Sequence, residues 1–137
     1  MKRAIVQIAL LVRDYDEAIA WFRDALGFVL VEDSDLGGGK RWVRIAPAAD
    51  AAFCLLLAKA ANERQLAAVG DQHGGRVGIF LHTDDFARDH ARLVAAGARF
   101  DSEPRHEAYG TVVVFADLYG NRWDLIGPRA DAPPTLP

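Results

Sequence analysis

Two side chains in the second half of the chain have the chemistry of an acid–base pair. His82 and Asp124 belong to the residue types that most often exchange protons with a substrate. They are our candidate catalytic residues, and strand alternation places His82 on the same side as Phe80. An alternative gives His82 a structural role, because a histidine just before a helix start at Asp84 also fits a hydrogen bond to that helix.

A mixed set of aromatic and polar side chains is expected to share the face of Gln7, which interrupts an aliphatic run. A buried amide needs hydrogen-bond partners. Strand alternation predicts the other members of this face, which are Ala9, Trp42, Arg44, Phe80, His82 and Asp124, with Arg122 towards the rim. Apolar walls with a few polar groups are typical of a site for a small, partly aromatic or carbonyl-bearing molecule. An alternative pairs Arg122 with Asp124 on a solvated edge.

The segment 105–110 collects titratable and aromatic side chains just before a strand. His106 and Tyr109 are candidate ligand contacts there. The alternative is a polar surface loop, since such runs are usually solvated, and we prefer it slightly.

Cys54 is the only cysteine, which excludes an internal disulfide and a zinc site built from several cysteines. It lies in an apolar run with no adjacent cation, so we expect it to be buried and unreactive. The two serines, Ser34 and Ser102, lie in turn-like acidic segments and do not suggest a nucleophile.

Composition indicates one compact domain. The chain has 137 residues and a formal net charge of -3, with lysine and arginine scattered along it. This pattern argues against nucleic acid and membrane surfaces as partners. The single cysteine is typical of a reducing compartment, so we expect a cytoplasmic protein.

The elements that position these residues occur twice. The interval from Asp14 to Gly27 equals that from Asp84 to Gly97. Each interval spans an amphipathic helix that is predicted to start at aspartates, Asp14 and Asp16 in the first half and Asp84 and Asp85 in the second, and to end at the glycine. Alternating or β-branched runs predict the strands, at 4–12, 28–32, 41–46 and 52–57 in the first half and at 77–82, 99–101, 109–115 and 122–126 in the second. Each half therefore reads β-α-β-β-β.

Domain boundaries follow from this repeat. We predict a single domain over 1–127, with a first module at about 4–57, a linker helix and loop at 58–76, and a second module at about 77–127. The proline-rich segment 128–137 is predicted to be a flexible tail.

The chain resembles the vicinal oxygen chelate superfamily, which includes glyoxalase I, extradiol dioxygenases, and fosfomycin- and bleomycin-resistance proteins. The resemblance spans about 5–126, and the segments that carry it are 12–14, 18, 21–22, 26–28, 95–97 and 117–125. It implies an α+β fold, in which two βαβββ modules form curved mixed sheets around a cleft. It also implies a homodimer or a pairing of modules within one chain.

In metal-using members of that superfamily, ligands come from the first, fourth, fifth and eighth strands. Here those positions fall on Gln7, near 54–56, on Gly78 (or Val77), and on Asp124. Gln7 and Asp124 are therefore the candidate metal ligands, but two of four ligands are absent, and two protein ligands hold a divalent ion weakly. His82 lies four residues beyond Gly78 on the same side of the strand, about 13 Å away, which is too far to replace a ligand. We expect no cofactor, with a divalent metal as the alternative.

Three functions remain open from the sequence. The first is a small-molecule-binding protein, or metal-independent chemistry, in the manner of bleomycin-resistance proteins. The second is a divalent-metal-dependent lyase, isomerase or dioxygenase of the resembled superfamily. The third is an interaction domain without a ligand, because folds are reused across functions.

Overall fold

The computed structural model describes residues 2–128. The chain divides into two compact units between Gln72 and His73, within the predicted linker. Apart from Pro128, the predicted tail lies outside the described residues. Among residues 2–128, no helix has both the length and the apolar character needed to cross a bilayer.

The first unit is a four-stranded sheet with one long helix against one face. Its elements are β1 (Gln7–Val12), α1 (Tyr15–Leu26), β2 (Val29–Gly37), β3 (Lys40–Ala46), β4 (Cys54–Lys59) and α2 (Glu63–Ala68). The strand order is β1-β4-β3-β2, with β1 parallel to β4 and the other pairs antiparallel.

Local sequence explains why α1 begins and ends where it does. The Asp14 side chain accepts a hydrogen bond from the backbone N–H of Glu17 at 2.8 Å, and Gly27 ends the helix at φ 69°, which glycine adopts without strain. Phe22 on its apolar face is 1% exposed, as is Ile45 on the facing side of the sheet. This packing covers one face of the sheet, so chemistry in the first unit belongs to the other, open face.

The second unit repeats the arrangement with one additional short strand. Its elements are β5 (Val77–His82), α3 (Phe86–Ala95), β6 (Arg99–Phe100), β7 (Arg105–Glu107), β8 (Gly110–Ala116) and β9 (Arg122–Gly127). The strand order is β5-β9-β8-β6, with β7 also paired to β8. The expected α+β class with two sheets is confirmed.

A buried carboxylate fixes the turn that leads into β9. Asp117 is 4% exposed, and its Oδ1 accepts from the backbone N–H groups of three turn residues. Its Oδ2 accepts from Asn121 Nδ2 at 3.1 Å and from Trp123 Nε1 at 3.0 Å. Because a buried carboxylate needs such donors, these hydrogen bonds stabilise the turn that leads into β9.

The structure differs from the sequence expectation in several elements, among them β1, which begins at Gln7 and not at residue 4. The segment Arg105–Glu107 is a strand and not the polar loop that we slightly preferred. It forms a hairpin with β8, in which Arg105 pairs with Val112. The strand β2 extends to Gly37, beyond the predicted end at 32. In β5 the pairing with β9 shifts between Val77 and Ile79, which makes a bulge at Gly78.

Candidate functional site

Strand register places Gln7, Trp42 and Arg44 on the open face of the first sheet. Gln7 pairs with Cys54, Ala9 with Leu56, and Arg44 with Leu56, so these side chains share one side. Trp42 lies two residues before Arg44 on the same strand and therefore on the same side.

Arg44 is the centre of a polar cluster on this face. Its Nε donates to Gln7 Oε1 at 3.0 Å, its Nη1 to Glu32 Oε1 at 3.2 Å, and its Nη2 to Cys54 Sγ at 3.4 Å. The expectation that no cation adjoins Cys54 is therefore wrong, because strand pairing brings Arg44 to it from a distant part of the sequence. The expected burial of Cys54 is confirmed, since it is 4% exposed.

The contact with Arg44 also fixes which way the Gln7 side chain faces. A guanidinium only donates hydrogen bonds, so Gln7 must present its carbonyl oxygen to Arg44. The amide nitrogen of Gln7 makes no hydrogen bond to any residue of the described range 2–128. The open face therefore carries an oriented N–H donor that is available to another molecule.

An apolar cavity of about 660 Å³ lies beside this cluster on the first unit. The residues of the open face that line it are Ala9, Leu11, Trp42, Leu56 and Ala58. Apolar walls next to a few oriented polar groups are the usual composition of a small-molecule site.

Asp124 lies on the second sheet, opposite Phe80 on β5 and Val114 on β8. Its Oδ1 is buried and has no hydrogen-bond partner among the described residues. Burial raises the pKa of the Asp124 carboxyl above its ordinary value, and the positive charge of Arg105 opposes that shift in part. Phe80 is 54% exposed, so this part of the sheet carries an exposed aromatic ring beside a half-buried carboxylate whose Oδ1 is buried.

His73 occupies the space that a side chain at Gly78 would take. A Cβ built on Gly78 would lie 2.1 Å from His73 Cγ and 2.4 Å from His73 Nδ1. The Nδ1 atom is buried and has no hydrogen-bond partner among the described residues. Sequence reasoning missed His73, because nothing in the linker segment indicates that the His73 ring packs over Gly78.

The other predicted residues of the second unit are exposed. His82 is exposed, and Thr83 rather than His82 contacts the helix start, since its Oγ1 accepts from the backbone N–H of Asp85 at 3.1 Å. His106 Nδ1 lies 3.1 Å from Thr111 Oγ1 on the paired strand. Tyr109 is 39% exposed in the turn between β7 and β8.

Arg122 does not form the alternative ion pair with Asp124. Its Nε lies 3.4 Å from Asp101 Oδ2, and its Nη1 donates to the carbonyl of Gly75 at 3.0 Å. The acidic partner, Asp101, lies in the loop after β6. Alternation within one strand does not predict a contact between two separate segments.

The donor set at the four positions implied by the resemblance does not fit a divalent cation. Gln7 and Cys54 already face the positive charge of Arg44. Gly78 has no side chain, and the ring that lies in its place is that of His73. Within residues 2–128, no three His, Cys, Asp or Glu side chains are grouped closely enough to hold a metal ion.

Sequence reasoning also missed Glu32, although a signal for it exists. Glu32 and Arg44 lie at equal distances on either side of Gly38, at the centre of the triple-glycine turn. A hairpin folded about that turn brings the two residues opposite each other, as the register between Glu32 and Arg44 shows.

Comparison with known proteins identifies relatives along nearly the whole chain. The sequence model of the Glyoxalase/Bleomycin resistance protein/Dioxygenase superfamily matches residues 4–125. An uncharacterized protein of Shewanella frigidimarina is 49% identical over 127 residues, which cover 92% of this chain and 94% of that protein.

Two solved structures are similar in both fold and sequence. UcmS2 has a TM-score of 0.77 and 29% identity, covering 92% of this chain and 98% of its own. TnmS3, described as an antibiotic binding protein from Streptomyces sp. CB03234, has a TM-score of 0.75 and 27% identity, covering 93% of this chain and 98% of its own.

Proposed function

The chain belongs to the Glyoxalase/Bleomycin resistance protein/Dioxygenase superfamily, and from this premise we propose that it binds a small, planar aromatic molecule without a metal. The ligand lies on the open face of the first sheet, in the cavity beside Trp42, and presents an oxygen acceptor to the amide of Gln7. The observation that carries the proposal is the contact of Arg44 with Gln7, which orients that amide.

Three features of the face support an aromatic ligand with an oxygen atom. Trp42 is half-buried on the cavity wall and offers a ring face for stacking. Leu11 and Leu56 supply apolar surface, whose burial is worth about 25 cal/mol per Å². Gln7 supplies a donor whose orientation is set before the ligand arrives, which lowers the cost of binding.

The similarity to TnmS3 supports the same class of function. That protein is described as antibiotic binding, and it shares 27% of its residues with this chain over nearly the whole length. This similarity supports the proposal that the present protein is a binding member of the superfamily, with an antibiotic-like small molecule as its ligand.

The proposal is tested with two planar probes that differ in one group. Fluorenone carries a carbonyl oxygen, and fluorene has the same ring system without it. We expect quenching of tryptophan fluorescence to show tighter binding of fluorenone, by about tenfold, since one satisfied hydrogen bond at a desolvated site contributes about 1.4 kcal/mol. Trp42→Ala is expected to abolish the binding of both probes.

Two control variants separate the contributions. Trp21→Phe lies outside the cavity lining and should leave both affinities unchanged. Gln7→Glu retains the contact with Arg44 but has no N–H group, so it should bind fluorenone no better than fluorene. Failure of the wild-type protein to bind either probe, or binding that survives Trp42→Ala, would contradict the proposal.

Metal-dependent chemistry is the second candidate, and the unpartnered Oδ1 of Asp124 is the observation that favours it. With His82, Asp124 would then be a candidate catalytic residue. Elemental analysis of the purified protein distinguishes the two candidates, followed by thermal unfolding with Zn²⁺, Ni²⁺, Mn²⁺ and Fe²⁺. A stoichiometric metal with a raised melting temperature would support the metal-dependent enzyme, and no bound metal with no shift would support the metal-free site.

We also propose a cytoplasmic homodimer. The free thiol of Cys54 is consistent with a reducing compartment. Ile5, Val6 and Phe53 are 80%, 52% and 38% exposed, and such a group of apolar side chains is typical of a protein contact.

A further inference from the structure

We propose that the guanidinium of Arg44 is a built-in cation that takes the place of a divalent metal on the open face of the first sheet. This deepens the proposed function, on which it rests for the position of the ligand, because it explains why this face selects an organic oxygen acceptor over a metal ion. Arg44 is thus a specificity-determining residue.

Three potential metal donors converge on this one group. The oxygen Gln7 Oε1, the carboxylate oxygen Glu32 Oε1 and the sulfur Cys54 Sγ lie 3.0, 3.2 and 3.4 Å from three different nitrogen atoms of Arg44. Carboxylate, amide and thiolate are all known metal-ligand types. The convergence is not a product of one flexible loop, because the three residues lie on three different strands.

The position of Arg44 is set by the sheet and not by its own flexibility. Its pairing partners are Glu32 on β2 and Leu56 on β4, so it lies on a central strand. Its side chain is 26% exposed, which means that most of the guanidinium stem is covered. A fixed positive charge among these donors repels a divalent ion and satisfies the groups that would hold it.

The remaining hydrogens of the guanidinium explain the preference for an oxygen acceptor. A guanidinium has five N–H groups, and three of them are used by Gln7, Glu32 and Cys54. The two that remain, together with the amide of Gln7, leave this face rich in donors. Because Glu32 balances the charge of Arg44, a neutral carbonyl suits the cluster as well as an anion does.

The test removes the Arg44 guanidinium by substitution and measures whether the protein then binds a divalent metal ion. We expect Arg44→Ala to bind Co²⁺ at least about tenfold more tightly than the wild-type protein does, since an adjacent positive charge is lost. Binding should produce the near-ultraviolet thiolate-to-cobalt absorption, which reports Cys54 directly. Arg44→Lys keeps a positive charge and should resemble the wild-type protein, and Arg44→Ala with Cys54→Ser should lose the absorption.

Circular dichroism and thermal unfolding show whether each variant is folded. If Arg44→Ala does not fold, Arg44→Gln retains the length of the stem without the charge and is expected to give the same Co²⁺ absorption. A folded, uncharged variant without Co²⁺ absorption, or a wild-type protein that binds Co²⁺ through Cys54 equally well, would overturn the inference. Gain of Co²⁺ binding in a protein that binds neither planar probe would support the inference and contradict the proposed function.

Discussion

At the scale of single residues, Asp124 has a pKa raised by burial and an Oδ1 without a partner. In the unfolded chain an aspartate ionises near pH 3.9, whereas in the folded state ionisation requires a higher pH. The contribution of Asp124 to the free energy of unfolding therefore falls as the pH rises from about 3.9 through the folded pKa. Above the folded pKa that contribution stays at its lower value.

Asp124→Asn is accordingly expected to stabilise the protein at pH 7. The gain should be below about 1 kcal/mol, because the substitution removes only the desolvation cost of the charge and solvent screens part of that cost at this half-buried carboxyl. Urea unfolding at pH 7 and at about pH 3.5 measures it, and the gain should vanish at the lower pH, where Asp124 is protonated. The exposed Asp50→Asn is the control, and a variant less stable than wild type at pH 7 would contradict the argument.

At the residue scale, alternation along one strand specifies which side chains share a face of its sheet, but it does not specify their partners. Alternation along β1 and β3 was enough to place Gln7, Trp42 and Arg44 on one side. The contacts of Arg44 with Cys54 and Glu32 depend on register between strands distant in sequence, which alternation within a strand does not specify.

At the scale of elements, the bulge in β5 and the ring of His73 depend on each other. A Cβ on Gly78 would overlap the ring at 2.1 Å, so Gly78→Ala should destabilise the protein by about 1–3 kcal/mol, the usual cost of overpacking. With His73→Ala in the same chain, the added methyl group has room, and most of that loss should disappear.

A double-mutant cycle with urea unfolding measures this dependence. The coupling energy between positions 73 and 78 should be about 1 kcal/mol or more, because the two groups compete for one volume. Gly97→Ala serves as a comparison, since nothing lies within 4 Å of its Cβ and any loss there comes from its φ of 74° alone. Additive losses at 73 and 78 would show that the ring moves aside freely.

Sequence patterns specified the long elements better than the short ones. Capping residues and terminal glycines located α1 and α3, because those signals are local. The short strand β7 was not predicted, because its three polar residues carry no periodic signal. They pair with β8 only because the hairpin at Ala108–Tyr109 brings them alongside it. The bulge at Gly78 likewise depends on pairing with β9.

At the scale of the whole molecule, the exposed apolar side chains near the start of β1 bear on assembly. Val6 and Phe53 are neighbours across the β1 and β4 pair, since the carbonyl of Val6 accepts from the backbone N–H of Cys54 at 2.9 Å. We expect sedimentation to show a homodimer that Ile5→Lys weakens by about tenfold or more, because a charge in an apolar contact must be desolvated. Lys2→Ala is a nearby control, and a wild-type monomer would contradict this assembly.

The side chain of Gln72 has a consequence for solution behaviour. Its Nε2 donates to the carbonyl of Ala9 at 2.8 Å, and its Oε1 accepts from the backbone N–H of Leu11 at 2.9 Å. The Gln72 amide therefore makes the two hydrogen bonds that a peptide group of a further strand would make at the outer edge of β1. It covers part of an edge to which another chain could otherwise add as a strand. We therefore expect resistance to fibril formation to depend in part on Gln72, whose hydrogen-bond partners Ala9 and Leu11 also line the cavity.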